Sequence, residues 1–222
     1  MRFRIDLKIF LFIILFYVTK QIEIYAMIMF FAIIHEFGHL LAGLLLGMKP
    51  EKMEIMPYGV SISFRLTLED YNQKIGRGNR LELKKVLVAF AGPITNFIMI
   101  LVVLQMNMNV FSGLMILYSN LLLILFNLLP IYPLDGGRII KGILHMFFGK
   151  IKAEKYSNYI SFIVLIIVTF ISSIVIYQVK NIAIFLIIIV LWAIFIKEDR
   201  IYQRRNKIYN LVKKSIENKS NK

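Results

Sequence analysis

The chain has 222 residues, 59% of them apolar, with no cysteine and with 27 Lys or Arg against 13 Asp or Glu, for a formal net charge of +14. A soluble domain carries about 45–50% apolar residues, so this composition excludes an ordinary soluble domain and a disordered chain. The lack of cysteine excludes disulfides, thiolate metal sites and cysteine nucleophiles.

Crossing a hydrocarbon layer of roughly 30 Å takes about 20 helical residues, and the apolar runs predict six spans, at residues 5–18, 24–46, 86–105, 111–129, 158–177 and 182–196. The first and last are short. With a cytoplasmic N-terminus, 25 of the 27 basic residues fall in inside segments and only Lys20 and Lys180 lie outside, as the positive-inside rule requires. The basic surplus is then topology, with added attraction to anionic lipid, and nucleic-acid binding is not expected. The fold class expected is an all-α polytopic membrane protein with both termini cytoplasmic. Residues 1–196 form one membrane domain, and residues 197–222 form a short basic tail, an amphipathic or frayed helix on the inner leaflet.

The second span carries the first chemical signal. Its apolar run is broken by His35, Glu36 and His39, and an ionisable cluster at a helix centre costs on the order of 2.5–3.5 kcal/mol per charge, which marks it as functional. On a helix, His35 and His39 share one face and can hold a zinc ion together, with Glu36 beside them as general base on water. With three histidines and nine glutamates in the chain, the chance expectation of such a motif is on the order of 0.002. The plain structural alternative is a buried polar cluster that glues helices.

After this span, Met53–Met56 and Val60–Leu68 flank a Pro57-Tyr58-Gly59 turn, and strict alternation from Val60 to Leu68 predicts a strand. A small membrane-embedded β-hairpin is therefore expected. Its edge, at Val60, Ser61 and Ile62, offers strand addition to an extended substrate. Gly92-Pro93, early in the third span, is expected to break or kink that helix and to pack beside the histidine helix. After the fourth span, Pro130 and Pro133 break the helix, and Gly136 and Gly137 let the chain turn. Such a break can swing a zinc ligand toward the second span. A catalytic zinc takes three protein ligands and leaves the fourth position open; the remaining donors are His145 and the carboxylates, among which Asp135 stands out. His145 itself reads as an interfacial or packing residue, and Trp192 as a lipid-facing or interfacial anchor.

These residues resemble the site-2 protease family of intramembrane zinc metalloproteases. His35-Glu36-Phe37-Gly38-His39 matches its first motif and Leu134-Asp135-Gly136 its second. The run from Asn127 to Gly137, with Met56-Pro57-Tyr58-Gly59 and Ala91-Gly92-Pro93, is similar to the stage IV sporulation protein FB group, whose members process the pro-sigma-K precursor. The resemblance implies one zinc ion held by His35, His39 and Asp135, Glu36 as general base, and Asn127 near the site as a helper for substrate or oxyanion. It places Val60, Ser61, Ile62 and Pro133 in substrate binding, and implies membrane inhibitor or regulator partners and the mother-cell membrane around the forespore. Members of that group extend into a nucleotide-sensing domain, for which the roughly 26 residues after Ile196 are too few. Two alternatives remain: a site-2 protease of another branch, acting on an anti-sigma factor or remnant signal peptide, and a non-hydrolytic metal-binding or transport protein.

Overall fold

Backbone N–H and C=O groups in lipid must be bonded within their own segment, so apolar runs fold as helices. The computed structural model describes residues 2–5, 7–18, 20–56, 59–65, 75–106, 110–179 and 182–220. A short strand β1 (Arg2–Ile5) precedes helices α1 (Lys8–Val18) and α2 (Ile22–Leu45). Strands β2 (Lys49–Met56) and β3 (Gly59–Arg65) follow, and then α3 (Ile75–Gln105), α4 (Val110–Asn127), α5 (Asp135–Phe148), α6 (Lys150–Val179) and α7 (Ile182–Ser220). The mostly helical architecture with a small sheet is as expected. Segments Ile22–Leu45, Asn79–Gln105 and Lys150–Gln178 are long and apolar enough to cross a membrane, and Gly113–Asn127 is a shorter apolar helix.

α2 packs against α3, α4 and β3; α5 bridges α3 to α6, and α6 packs on α7. Phe31, Ala32 and Leu123 close the α2–α4 contact. Val86, Ala89 and Ile139 close α3 on α5. Ile131, Leu165, Ile188, Leu191 and Phe195 form the core between α6, α7 and the loop before α5. The opposite face of α2, with Phe30, Ile33, Phe37, Leu41 and Leu44, is exposed, as suits a helix that meets lipid on one side.

The expected hairpin is present. β2 and β3 run antiparallel with Met56 opposite Gly59 and Lys49 opposite Arg65; Pro57, Tyr58 and the expected continuation through Leu66 and Leu68 lie outside the described residues. Alternation along β3 sends Ile62 inward, where it is buried, and leaves Ser63 and Arg65 exposed. The ring of Phe64, on the same side as Ile62, occupies the space beside Gly43 of α2.

Three expectations need correction. The hairpin is not isolated: a strand ahead of the first span, Arg2–Ile5, which takes only Ile5 from it, pairs in parallel with Lys52–Ile55, so the hairpin is the far part of a three-stranded sheet ordered β1-β2-β3. Pro93 does not break its helix, since α3 runs through it from Ile75 to Gln105. The tail is helical, as expected, and continues α7 without interruption from Ile182 to Ser220. Its polar half is tied to α6 by an Arg205 Nη1 to Glu154 Oε1 ion pair of 3.1 Å and by Asn158 Nδ2 donating to Asp199 Oδ1 at 2.7 Å. Trp192 is half-buried between α6 and α7 and not an interfacial anchor. It packs edge-on against Phe162 and Phe195 and donates from Nε1 to Thr169 Oγ1 at 3.1 Å.

Candidate metal centre

Mid-helix spacing of four places His35 and His39 on the buried face of α2, where they are 3% and 2% exposed. Each ring is fixed from its far side by α3. His35 Nδ1 donates to Asn96 Oδ1 at 2.8 Å, and His39 Nδ1 donates to the Val88 carbonyl at 2.6 Å. A ring nitrogen that faces a carbonyl oxygen carries the hydrogen, so both Nε2 atoms are turned toward Asp135 and can offer their lone pairs to a metal ion placed among them. These tautomers follow from the partners.

Asp135 reaches the same point from the other side of the molecule. It is the first residue of α5, after Leu134 at the N-cap, a position where the helix dipole favours a carboxylate. The chain arrives through an irregular stretch of residues 128–134. Gly136 and Gly137 lie so close to the backbone of Leu128, Leu129 and Ile131 that a Cβ at either would collide with it. Ser161 of α6 anchors this stretch, accepting from the Tyr132 N–H at 3.0 Å and donating to Ser157 O at 2.8 Å. Asp135 is 4% exposed.

The three ligand atoms form a nearly equilateral triangle. His35 Nε2 lies 2.9 Å and His39 Nε2 3.1 Å from Asp135 Oδ2, and the two Nε2 atoms are 3.1 Å apart. Tetrahedral zinc with ligands at about 2.0–2.1 Å sets them about 3.3–3.4 Å apart, so the triangle fits after an opening of under about half an ångström. The donor set argues the same way. Two imidazole nitrogens and a carboxylate oxygen facing one another in a dry interior repel unless protons or a metal ion sit among them, and two imidazoles with a carboxylate are a donor set that zinc takes. These residues are the group of metal-ligating side chains found among the described residues, and they hold one metal ion's worth of protein ligands.

Space for that ion comes from α3. A Cβ on Gly92 would sit 2.5 Å from His35 Nε2 and in collision with His39 Nε2, so glycine alone leaves the face of the triangle open. Glu36, 8% exposed, lies within electrostatic reach of both histidines, Asp135 and Arg138. Arg138 Nη1 stands 3.7 Å from the Asp135 oxygen that faces away from the triangle.

His35, Glu36, His39 and Asp135 are thus brought together as the sequence predicts. Asn127 is half-buried and donates to Leu123 O within its own helix at 3.0 Å, which is not a bond to the histidines. Pro133, half-buried, follows Tyr132 through a cis peptide bond. Val60, Ser61 and Ile62 face Ile55, Glu54 and Met53 of β2 in register. His145 pairs with Glu82 Oε1 at 3.3 Å, as a packing residue would. Sequence reasoning missed Asn96, the Val88 carbonyl and Ser161. A polar Asn inside an apolar run was the available signal for the first.

A model of the Peptidase M50 family matches residues 103–171, a stretch that includes Asp135 but not the histidine pair. A zinc metalloprotease of Methanocaldococcus jannaschii is 34% identical over 133 residues, which cover 55% of this chain and 34% of that protein. The match thus spans about a third of the relative's length. The solved site-2 protease from Methanocaldococcus jannaschii superposes with a TM-score of 0.61 at 21% identity, over 87% of this chain and 88% of that one. The chain has the fold of that protease, parts of it match the Peptidase M50 family model and a zinc metalloprotease, and His35, His39 and Asp135 offer the ligands for one metal ion.

Proposed function

We propose that the chain hydrolyses a peptide bond of a membrane-associated regulatory protein near the cytoplasmic face. The observation that carries this is the convergence of three buried lone-pair atoms within 2.9–3.1 Å beside a buried carboxylate that makes no part of the triangle. A pure ligand site does not require Glu36; hydrolysis does. A zinc ion held by His35, His39 and Asp135 would supply Lewis acidity toward a water and the scissile carbonyl. Glu36 takes the proton from the attacking water and hands it to the departing amine nitrogen. Asp135 holds its Oδ2 toward the triangle while the α5 N-terminus and Arg138 balance its charge. Asn96 and Val88 hold the imidazoles in the ligating tautomer.

A helical peptide bond is shielded by its own hydrogen bonds, so the substrate must unwind. The outer edge of β3, opposite the edge paired to β2, accepts an extended segment through Val60, Ser61 and Ile62, and Pro133 lines the approach beside Asp135. Six spans with both ends cytoplasmic, a membrane domain of residues 1–196 and a basic cytoplasmic segment beyond it complete the reading, on the strength of the basic-residue distribution. The run Asn127 to Gly137 supports the pro-sigma-K precursor as substrate, in a mother-cell membrane under control of membrane inhibitor proteins. The likeness to a Methanocaldococcus jannaschii zinc metalloprotease favours, as a second reading, a site-2 protease with another membrane-anchored substrate.

The test is co-expression with a tagged pro-sigma-K precursor, wild type against Glu36→Gln, read by immunoblot with zinc content measured in parallel. A shorter product with the wild type alone, and zinc at one per chain in both, is expected; a loss of about 10²-fold or more matches removal of a general base. Equal product from both proteins would remove Glu36 from the mechanism. No product from either, with zinc bound, would discard this substrate in favour of the second reading.

A further inference from the structure

Two side chains that flank Asp135 in the chain meet across the N-terminus of α5. Lys141 Nζ stands 4.2 Å from the centre of the Tyr132 ring, inside the roughly 6 Å at which an aromatic face holds an ammonium. Helix side chains lean toward the helix N-terminus, so Lys141, about 9 Å along α5 from Asp135, reaches back over the segment through which the chain enters the helix. The same ammonium is 3.8 Å from Glu154 Oε1 on α6, and Arg205 Nη1 on α7 is 3.1 Å from that oxygen. The Glu154 side chain is 13% exposed and that of Lys141 23%, and charges so far removed from water depend on their partners for position. Beneath the ring, the backbone closes on itself and on α6. The N–H groups of Ile131 and Leu134 donate to Leu129 O and Ile131 O at 2.7 and 2.8 Å, and that of Tyr132 to Ser161 Oγ at 3.0 Å.

We propose that Glu154 is a positioning residue for Asp135: it holds Lys141 over the Tyr132 ring, and this strap fixes the irregular stretch of residues 128–134 that delivers the carboxylate to His35 and His39. The histidines need no such device, because they ride on one continuous helix and each ring is bonded to α3. Asp135 stands at the first position of its helix, where the backbone ahead of it carries no helical bonds, and its distance from the two Nε2 atoms is set by how that backbone lies. Glu154 makes the link because its one oxygen faces cations from two elements, Lys141 on the Asp135 helix and Arg205 on the polar half of α7. The Arg205 side chain is 46% exposed, so the line of contacts runs from the protein surface, through Glu154, Lys141 and Tyr132, to the segment that carries the third ligand.

The inference rests on the zinc reading for its purpose, and one arm of its test needs no metal. Glu154→Gln keeps the shape of the side chain and removes its charge. In the detergent-solubilised, chelator-treated full chain, amide hydrogen exchange over residues 128–137 is expected to quicken about 10-fold in this variant, as a local opening, with exchange across α2 unchanged. Zinc affinity by chelator competition should fall about 10-fold, the low end of what loss of a ligand's supporting partner does. Lys141→Met and Tyr132→Leu should each do the same, and the two together no more than either alone, because both remove one contact. Tyr132→Phe keeps the ring face and should match the wild type in both measurements. If Glu154→Gln does not fold, Lys141→Met and the two Tyr132 variants carry the test. Wild-type exchange in the folded variants would overturn the proposal, and so would a rise spread equally over α2, which marks general loosening. Quickened exchange at residues 128–137 with wild-type zinc affinity would overturn it too, since the strap would then hold the loop without placing Asp135. A wild type that binds no zinc, with the exchange results as expected, would sink the zinc reading and leave the strap standing.

Discussion

Replacing Gly92 by alanine adds one methyl group at the most crowded point of the metal centre. Its Cβ would stand 2.5 Å from His35 Nε2 and from His39 Cε1, about 1 Å inside ordinary contact. Neither ring can retreat freely, since Asn96 holds His35 at 2.8 Å and Val88 holds His39 at 2.6 Å from behind. Overpacking of this kind costs about 1–3 kcal/mol. Displaced ligand atoms carry that cost into metal binding, where about 1.4 kcal/mol is tenfold, so zinc affinity should fall about 10- to 100-fold. The assay is chelator competition on the purified chain, with melting temperature measured alongside. Gly142→Ala is the control: its Cβ meets the end of the Val86 side chain, so it should lower stability and leave zinc affinity alone. Wild-type zinc affinity in Gly92→Ala, or an equal loss in Gly142→Ala, would refute the argument that Gly92 makes room at the ligand triangle.

Two further outcomes are expected. Trp192→Phe keeps the packing against Phe162 and Phe195 but loses the bond to Thr169 Oγ1; stability should drop by about 1 kcal/mol in thermal melts, with zinc content unchanged, and Thr169→Val in the same chain should add little. Burial lowers the pKa of Lys141 from its ordinary value, opposed by Glu154 at 3.8 Å, Glu198 and Glu82 and reinforced by Arg205. In the window between the lowered folded pKa and the unfolded value of 10.5, the unfolded chain binds more protons. Stability should therefore rise with pH through that window. Melting temperatures from pH 7 upward should show this slope in the wild type and a flatter one in Lys141→Met; equal slopes would show that Lys141 is not the group responsible.

The ligand set was legible because chemistry that is costly in a membrane stands out from an apolar background. His35, Glu36 and His39 break an otherwise unbroken run, and Asp135 follows two prolines that a plain span would not contain. What holds the ligands was less legible. Asn96 has no spacing signature, and the Val88 carbonyl has no side chain to read at all. β1 was hidden for a related reason. Arg2–Ile5 runs into the apolar residues of α1, and its strand conformation is imposed by pairing with Lys52–Ile55, a partner far along the chain. Local propensity is overridden elsewhere too. Pro93 removes one helical hydrogen bond, yet α3 continues, because membrane helices can keep a proline when neighbouring packing satisfies the freed groups. The change from apolar to basic at Lys197 looks like a boundary in hydropathy but not in helix propensity, and the ties of Asp199 to Asn158 and of Arg205 to Glu154 hold α7 against α6.

The parallel pairing of β1 with β2 also sets an order of events during synthesis. Arg2 and its partner Lys52 are separated by α1 and α2, so β1 waits for the histidine helix to be made and placed. At about 5–20 residues per second, the first strand spends several seconds with both edges unpaired, while translation of β2 and then β3 is completed. Only then can the sheet grip the end of α2 through Phe64, whose ring stands beside Gly43. The histidine pair is thus committed to the bilayer before the sheet beside it exists, and Asp135, about 100 residues later in the chain, is the last of the three ligands to arrive.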